Sequence, residues 1–335
     1  MKAIGYYAST PGNQLLDLEV PPPEPRPTDI IVRVKAVSIN PADHKIRERV
    51  SPEGGAVKVL GFDASGVVES VGTAATLFKP GDEVFYAGDM TRNGTNAELH
   101  AVDERIVGVK PKSLDWAQAA AMPLTSLTAW EVLFDRLKVP YGNMSHQGTL
   151  LIINGAGGVG SILIQIASLL TGLKVVATAS RPETVEWVTQ MGAHHVIDHH
   201  KPFRPQLEAL SISQVEYVVG LTGTDKHLPQ IYDVIAPQGH VGVVDDSPAL
   251  DIASFQMKAV TFSWELMFVR PMFATFDILQ QHKILNQISR LVDRGLLKST
   301  MTSFLSPISA ANLAKIYELS SSGKAIGKTV LEGFE

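Results

Sequence analysis

The sequence predicts an α/β fold in which a β-rich domain is interrupted by an inserted, doubly wound domain with a parallel sheet. Three observations predict it. The 335 residues exceed what one core of ordinary size organises. The first third alternates apolar and polar residues as strands do. From about Ala117 the chain carries short, wholly apolar runs separated by helical stretches, which is typical of parallel strands covered on both faces.

The β-rich first third begins with a strand predicted in "DIIVRVKAVSIN", where Ile31, Arg33 and Lys35 alternate with apolar neighbours. Shorter β-rich pieces follow in "SGVVESVG" and "GDEVFYAG", and both are bounded by glycine. Helical spacing then begins near Ala117, and Pro123 is expected to separate two helices.

The stretch "LLIINGAGGVGSILIQIASLL" holds no charged residue, so by length it could be a membrane span. Its four central glycines argue against that, because each costs about 1 kcal/mol inside a helix. We therefore predict a strand Leu150–Ile153, a tight turn and a helix from about Val159. Further inner strands are predicted in "KVVATAS", "HHVID", "EYVVG" and "HVGVV", and a helix around residues 272–295. The last segment is expected to return to the first domain.

Composition excludes several classes of function. The net charge of −5 gives no electrostatic basis for binding nucleic acid or an anionic membrane surface. The chain has no cysteine, which excludes disulfides, thiolate nucleophiles and cysteine-ligated zinc. Its start, "MKAIGYYAST", lacks the apolar run of a secretory signal, so a cytoplasmic location is expected.

The turn "GAGGVG" predicts a dinucleotide site, because it follows a predicted strand and opens a predicted helix. Gly155 is expected to adopt a turn conformation closed to other residues, Gly157 to admit a diphosphate, and Gly160 to let helix and strand approach closely. The N–H groups at the start of the helix would receive the phosphates. The cofactor-binding residues predicted here are Gly155, Ala156, Gly157, Gly158, Val159 and Gly160.

The end of the next strand favours NADPH over NADH. An Asp or Glu at that point would bind the 2′-hydroxyl of NAD, but the chain has Ser180 and Arg181 there, with no acid before Glu183. A hydroxyl and a guanidinium can hold a 2′-phosphate that a carboxylate would repel. The alternative is that Arg181 is a solvated loop residue.

With these residues considered together, the chain resembles the medium-chain dehydrogenase/reductase superfamily, and within it the zeta-crystallin-like quinone oxidoreductase branch. The resemblance covers nearly the whole length. It implies a GroES-like domain over residues 1–124 and 272–335, and a Rossmann domain that binds NADP over residues 125–271. The resemblance rests on "VSINPADHKIR", "LGFDASGVVESVG", "FKPGDEVF", "AAAMPLTSLTAWE", "GAGGVG" with Gln165, and "GKTVL".

Departures from the zinc-dependent alcohol dehydrogenases imply metal-free chemistry. Where those enzymes carry a zinc-ligating cysteine this chain has Asn40, and in place of Gly-His-Glu it has Gly61, Phe62 and Asp63. Without a Lewis acid, alcohol oxidation at neutral pH loses its main driving force, whereas reduction of a polarised C=C bond needs less help. We therefore expect no metal site.

The resemblance also implies roles for single residues, each with a structural alternative. Asn40 would orient the nicotinamide or donate to a developing enolate, or would simply form a turn with Pro41. Asp43 would line the active-site cleft of the family, or cap a helix. The remaining implied cofactor contacts, with packing or surface solvation as alternatives, are Thr128, Met267, Phe268 and Lys328.

Four histidines, His194, His195, His199 and His200, suggest a metal site, but neighbours in a strand point to opposite faces. We expect them to flank the third inner strand. The sequence thus predicts an NADPH-dependent, zinc-free reductase that transfers hydride to a small quinone or α,β-unsaturated carbonyl. The alternatives are an enoyl-thioester reductase and a non-catalytic, crystallin-like NADPH-binding protein. The resemblance further implies a homodimer formed across Rossmann edges.

Overall fold

The computed structural model describes residues 1–247 and 249–334. The chain forms two compact units. The first comprises Met1–Leu127 together with the described segment from Phe268 onward, and the second comprises Thr128–Met267.

The first unit is β-rich. A seven-stranded sheet has the order β15-β16-β3-β5-β6-β8, with β7 also paired to β3, and a three-stranded sheet has the order β2-β1-β4. The strands are β1 Lys2–Tyr7, β2 Leu16–Glu19, β3 Asp29–Ser38, β4 Val57–Val59, β5 Ala64–Val71, β6 Glu83–Tyr86, β7 Leu99–Asp103, β8 Val107–Val109, β15 Met301–Leu305 and β16 Lys328–Glu332. The helices are α1 Pro41–Arg49, α2 Trp116–Ala120, α8 Val269–Met272, α9 Leu279–Asp293 and α10 Ala310–Ser321.

The return of the chain to the first domain is confirmed by the pairing of β16 with β3. The two strands are antiparallel, with Val330 opposite Ser38 and Leu331 opposite Val37. Val330 and Leu331 are fully buried. Hydrophobic burial therefore joins two segments that are almost 300 positions apart in sequence.

The second unit is a doubly wound parallel sheet, as predicted, with the strand order β11-β10-β9-β12-β13-β14. Its strands are β9 Thr149–Ile153, β10 Lys174–Thr178, β11 His195–Ile197, β12 Val215–Gly220, β13 Ile235–Val243 and β14 Thr261–Trp264. Its helices are α4 Gly158–Leu170, α5 Pro182–Gln190, α6 Phe203–Ala209 and α7 Thr224–Val234, and a π-helix spans Glu131–Arg136. Helix α3, Pro123–Trp130, precedes the π-helix and contains the sequence boundary between the units.

The uncharged stretch divides as predicted into β9, a turn and α4. Leu150 to Ile153 are all fully buried, as expected for a central strand covered on both faces. None of the helices in the described part of the chain is long and apolar enough to span a bilayer.

Pro123 separates α2 from α3 as predicted. The helix predicted around residues 272–295 is shorter than expected and begins at Leu279. Ala274 has a φ of 43°, a left-handed conformation that interrupts a right-handed helix, so α8 ends before it.

Candidate functional site

The glycine-rich turn lies between β9 and α4. The prediction that Gly155 adopts the special backbone conformation is wrong, because the left-handed residue is Asn154, with a φ of 62°. Asparagine tolerates that region, and here hydrogen bonds hold it on both sides. Its amide Nδ2 donates to the Thr222 carbonyl at 2.8 Å, and its backbone N–H donates to Thr178 Oγ1 at 2.8 Å.

The glycines of the turn differ in what surrounds them. A Cβ on Gly155 would lie 3.0 Å from the Cβ of Ala177, and one on Gly160 only 2.3 Å from the Gly155 carbonyl oxygen. A Cβ on Gly157 would meet nothing within 4 Å. Gly157 precedes α4, whose first N–H groups, from Gly158 and Val159 onward, lack partners within the helix. The turn therefore presents backbone donors beside open space, which suits a diphosphate.

Ser180 and Arg181 follow β10 at the carboxyl edge of the parallel sheet. Ser180 is half-buried, and Arg181 is the residue before α5. The Arg181 side chain is 37% exposed, and its Nε lies 3.4 Å from Glu183 Oε1. Its backbone N–H donates to Thr184 Oγ1 at 3.1 Å, which anchors the loop. The guanidinium thus lies at the sheet edge where adenosine ribose binds in doubly wound folds.

His199 also lies at this edge, and sequence reasoning assigned it no role in cofactor binding. Its Nδ1 is 3.3 Å from Thr178 Oγ1, the same hydroxyl that anchors Asn154. Its ring contacts those of His200 and His227, at centroid distances of 4.4 Å and 6.3 Å. Burial lowers the pKa of His199, and the neighbouring histidines lower it further. Its position just beyond the third inner strand was predicted, but its contact with Thr178 was not.

Lys328 and Asp63 form a buried ion pair in the first unit. The Lys328 Nζ donates to Asp63 Oδ2 at 3.0 Å, to the Ile39 carbonyl at 2.7 Å and to Asn40 Oδ1. Lys328 is 3% exposed, so the alternative that it is a solvated surface residue is wrong. Its role as a phosphate contact stays a prediction. All three ammonium hydrogens have acceptors within this unit.

Both the nitrogen and the oxygen of the Asn40 amide form hydrogen bonds within the same cluster. Its Nδ2 donates to Asp63 Oδ2 at 2.8 Å, while its Oδ1 accepts from Lys328. Asp63 also accepts from Ser38 Oγ at 2.9 Å and from the Leu124 N–H at 2.8 Å. Burial raises the pKa of the Asp63 carboxyl, and the nearby ammonium of Lys328 opposes that rise. No spacing in the sequence predicted the contact between Lys328 and Asp63.

These residues do not fit a zinc ion. Zinc in proteins is held by thiolate, imidazole and carboxylate ligands. This cluster offers one carboxylate, from Asp63, and one amide, from Asn40, and the residue before Asp63 is Phe62, which has no ligand atom. The ammonium of Lys328 is hydrogen-bonded by both oxygen groups, so a cation is already built into the chain. Among residues 1–247 and 249–334, no group of three or more His, Asp or Glu side chains is arranged to hold a metal ion.

Asp43 lies in the first turn of α1 and is fully buried. Its Oδ2 accepts from the Asn40 backbone N–H at 2.8 Å, so it caps the helix as the structural alternative proposed. Asn40 is the residue before this helix rather than part of a separate turn. Burial raises the pKa of Asp43 to about 7, although the Asn40 N–H and Lys328 lower it.

The other predicted contacts are buried. Thr128 is 4% exposed within α3, and Met267 is 2% exposed at the end of the second unit. Phe268 packs in the first unit, edge-on to Phe62 at a centroid distance of 5.2 Å. The structure thus brings Asn40 and Lys328 together around Asp63.

Comparison with known proteins identifies both units. Residues 26–126 match the alcohol dehydrogenase GroES-like domain, and residues 158–274 match the zinc-binding dehydrogenase family. A zinc-type alcohol dehydrogenase-like protein of Staphylococcus aureus is 38% identical over 336 residues, which are 99% of each chain.

Two further proteins extend the comparison. A crystal structure from Rhizobium etli, of a candidate zinc-dependent alcohol dehydrogenase, is 55% identical with a TM-score of 0.95, covering 100% of this chain and 98% of that one. The NADPH-dependent alkenal/one oxidoreductase of Arabidopsis thaliana is 36% identical over 206 residues, 58% of this chain and 52% of the relative. With its GroES-like unit, its parallel-sheet unit and these relatives, the chain belongs to the medium-chain dehydrogenase/reductase superfamily, whose members of this fold include quinone oxidoreductases.

Proposed function

We propose that the protein is an NADPH-dependent, zinc-free reductase of the cytoplasm, which transfers hydride to a small quinone or α,β-unsaturated carbonyl. The observation that carries the proposal is the turn before α4. Gly157 leaves open space there, and the unpaired N–H groups of the first helical turn border it. A diphosphate suits that combination of space and donors.

NADPH, when bound, would supply the hydride from nicotinamide C4. The chain would bind the diphosphate at Gly155–Gly160 and the 2′-phosphate at Ser180 and Arg181, with His199 close by. The absence of a carboxylate before Glu183 supports NADPH over NADH. The similarity to an NADPH-dependent alkenal/one oxidoreductase supports the same cofactor and an electrophilic acceptor.

The buried cluster of the first unit supports reduction rather than alcohol oxidation. Its cation is the ammonium of Lys328, which is held by Asn40 and Asp63. An ammonium with every hydrogen engaged cannot bind an alkoxide as a Lewis acid would. Reduction of a polarised C=C bond does not require that step, because the carbonyl oxygen of the acceptor takes up the charge.

The test is the rate of NADPH oxidation, followed by its absorbance, with panels of quinones, short enones and enoyl thioesters. We expect turnover with quinones or enones. Turnover confined to enoyl thioesters would replace the proposal with the thioester reductase. Tight NADPH binding without turnover on any acceptor would favour the non-catalytic binding protein.

The cofactor assignment predicts the effect of Arg181→Asp. A carboxylate at this position repels the 2′-phosphate and accepts a hydrogen bond from a 2′-hydroxyl, so preference should shift toward NADH by about tenfold or more in kcat/KM. The matched control is Arg204→Asp, on an exposed part of the same unit. An unchanged preference in Arg181→Asp would refute the NADPH assignment.

A further inference from the structure

A buried pair of carboxyls lies in the second unit, and the function proposed above does not use it. Glu131 is the first residue of the π-helix, and Glu265 directly follows β14. Their side chains are 1% and 0% exposed. Arg136, at the end of the π-helix, places its Nε 2.8 Å from Glu265 Oε2 and its Nη2 3.8 Å from Glu131 Oε2.

The charges of this cluster do not balance unless a proton is retained. Two carboxylates and one guanidinium would leave a net negative charge out of water, which is costly. Both carboxyls are buried against the one guanidinium of Arg136, so a neutral cluster holds one proton on the two carboxyls. Burial, and then the charge of Glu131, raise the pKa of Glu265 to about 9, and Arg136 opposes them. On the neighbouring strand β13, the Val243 carbonyl accepts from the Glu265 N–H at 2.9 Å.

The position of the pair connects two segments of the predicted site. Glu131 stands three residues after Thr128 on a continuous helical segment, and Glu265 stands two residues before Met267. Thr128 and Met267 are two residues of this unit that we predict to contact the cofactor. A π-helix is rare and is frequently found at functional sites. Here its first turn carries one of the two carboxyls.

We propose that Glu131 and Glu265, sharing one proton and held by Arg136, are positioning residues that hold the end of β14 on the π-helix and so place Thr128 and Met267 for the cofactor. This inference rests on the proposed function. When the shared proton is lost, the two carboxylates repel each other and β14 is released at its end. Cofactor affinity should then fall at alkaline pH.

The test compares wild type with Glu265→Gln, which keeps the shape and hydrogen bonding of the protonated acid but cannot titrate. The Kd of NADPH is measured by titration calorimetry from about pH 7 to about pH 10, a range that spans the pKa of Glu265. In wild type, Kd should rise about fivefold or more across this range, and in Glu265→Gln less than about twofold. Glu208→Gln, the same change at an exposed position of this unit, should behave as wild type.

Hydrogen exchange supplies a readout that does not depend on the cofactor. After correction for the intrinsic rate, the amides of residues 261–267 should lose protection at alkaline pH in wild type and keep it in Glu265→Gln. Equal pH dependence of both proteins in both measurements overturns the inference. A wild type that binds no NADPH at neutral pH overturns the proposed function instead, and exchange then decides whether the pair holds β14. If Glu265→Gln does not fold, Glu131→Gln makes the same comparison.

Discussion

At the scale of single residues, the glycine-rich turn depends most on Gly160. Any side chain there would place its Cβ 2.3 Å from the Gly155 carbonyl oxygen, which is backbone and cannot move aside freely. We expect Gly160→Ala to lower the free energy of unfolding by about 1–3 kcal/mol and to abolish NADPH binding. Chemical denaturation and calorimetry measure the two effects.

Gly157→Ala tests the space available to the ligand while leaving the packing within the protein unchanged. Because nothing lies within 4 Å of the added Cβ, stability should change by less than about 0.5 kcal/mol. The methyl group would nevertheless occupy the space that the diphosphate needs, so NADPH affinity should fall at least about tenfold. Wild-type affinity in both glycine variants would show that the dinucleotide does not bind at this turn.

Lys328 is the residue on which the buried cluster of the first unit depends. Lys328→Met leaves Asp63 as a buried charge without its cation, so the free energy of unfolding should fall by about 3–5 kcal/mol. Adding Asp63→Asn should recover part of the loss, because the unpaired charge is then gone. The exposed Lys324→Met serves as the control. A loss below about 1 kcal/mol in Lys328→Met would mean that the ion pair contributes little.

At the scale of an element, the start of α1 should make stability depend on pH. The folded protein holds the proton of Asp43 up to about pH 7, whereas the unfolded chain releases it near pH 4. The folded state therefore binds more protons between these values. The free energy of unfolding should fall as pH rises through this window, by up to about 1.4 kcal/mol per pH unit.

Asp43→Asn keeps an oxygen that can accept from the Asn40 N–H but does not titrate. Its unfolding free energy, measured by denaturation across the same pH range, should lack the part of the slope due to Asp43. Asp63 also has a raised pKa and remains in this variant, so a smaller slope should persist. A slope identical to that of wild type would show that Asp43 is ionised in the folded state.

At the scale of the whole molecule, the edge strand β14 is where we propose that two copies associate as a homodimer. The strand is the last of the six-stranded sheet, and Trp264 at its end is 59% exposed. A strand edge offers unpaired backbone groups to a second copy. Trp264→Glu should convert a dimer to a monomer in sedimentation velocity. Met257→Glu, at an 85% exposed position outside the strands, should not. A wild-type monomer, or a dimer that survives in Trp264→Glu, would count against association at this edge.

The elements that sequence predicted well are those whose signals are local. The uncharged stretch around Gly157 encodes a strand, a turn and a helix within about twenty residues, because glycine content and apolar runs act over that distance. The same reasoning misplaced the left-handed residue at Gly155 instead of Asn154. What holds Asn154 is a pair of hydrogen bonds, one to Thr178 at the end of β10 and one to Thr222 in the loop after β12.

By itself, the sequence determined the two-part α/β architecture, the return of the last strand to the first domain and the presence of a turn suited to phosphates. Periodicity and glycine placement encode the architecture and the turn along the chain, whereas the return of the last strand was implied by the resemblance to a known family. Only the tertiary structure showed that Lys328 lies buried on Asp63, 265 positions away, and that Glu131 and Glu265 are buried against the same Arg136. Such pairs form where burial removes water from side chains of distant segments, and the energy of that desolvation has no pattern along the sequence.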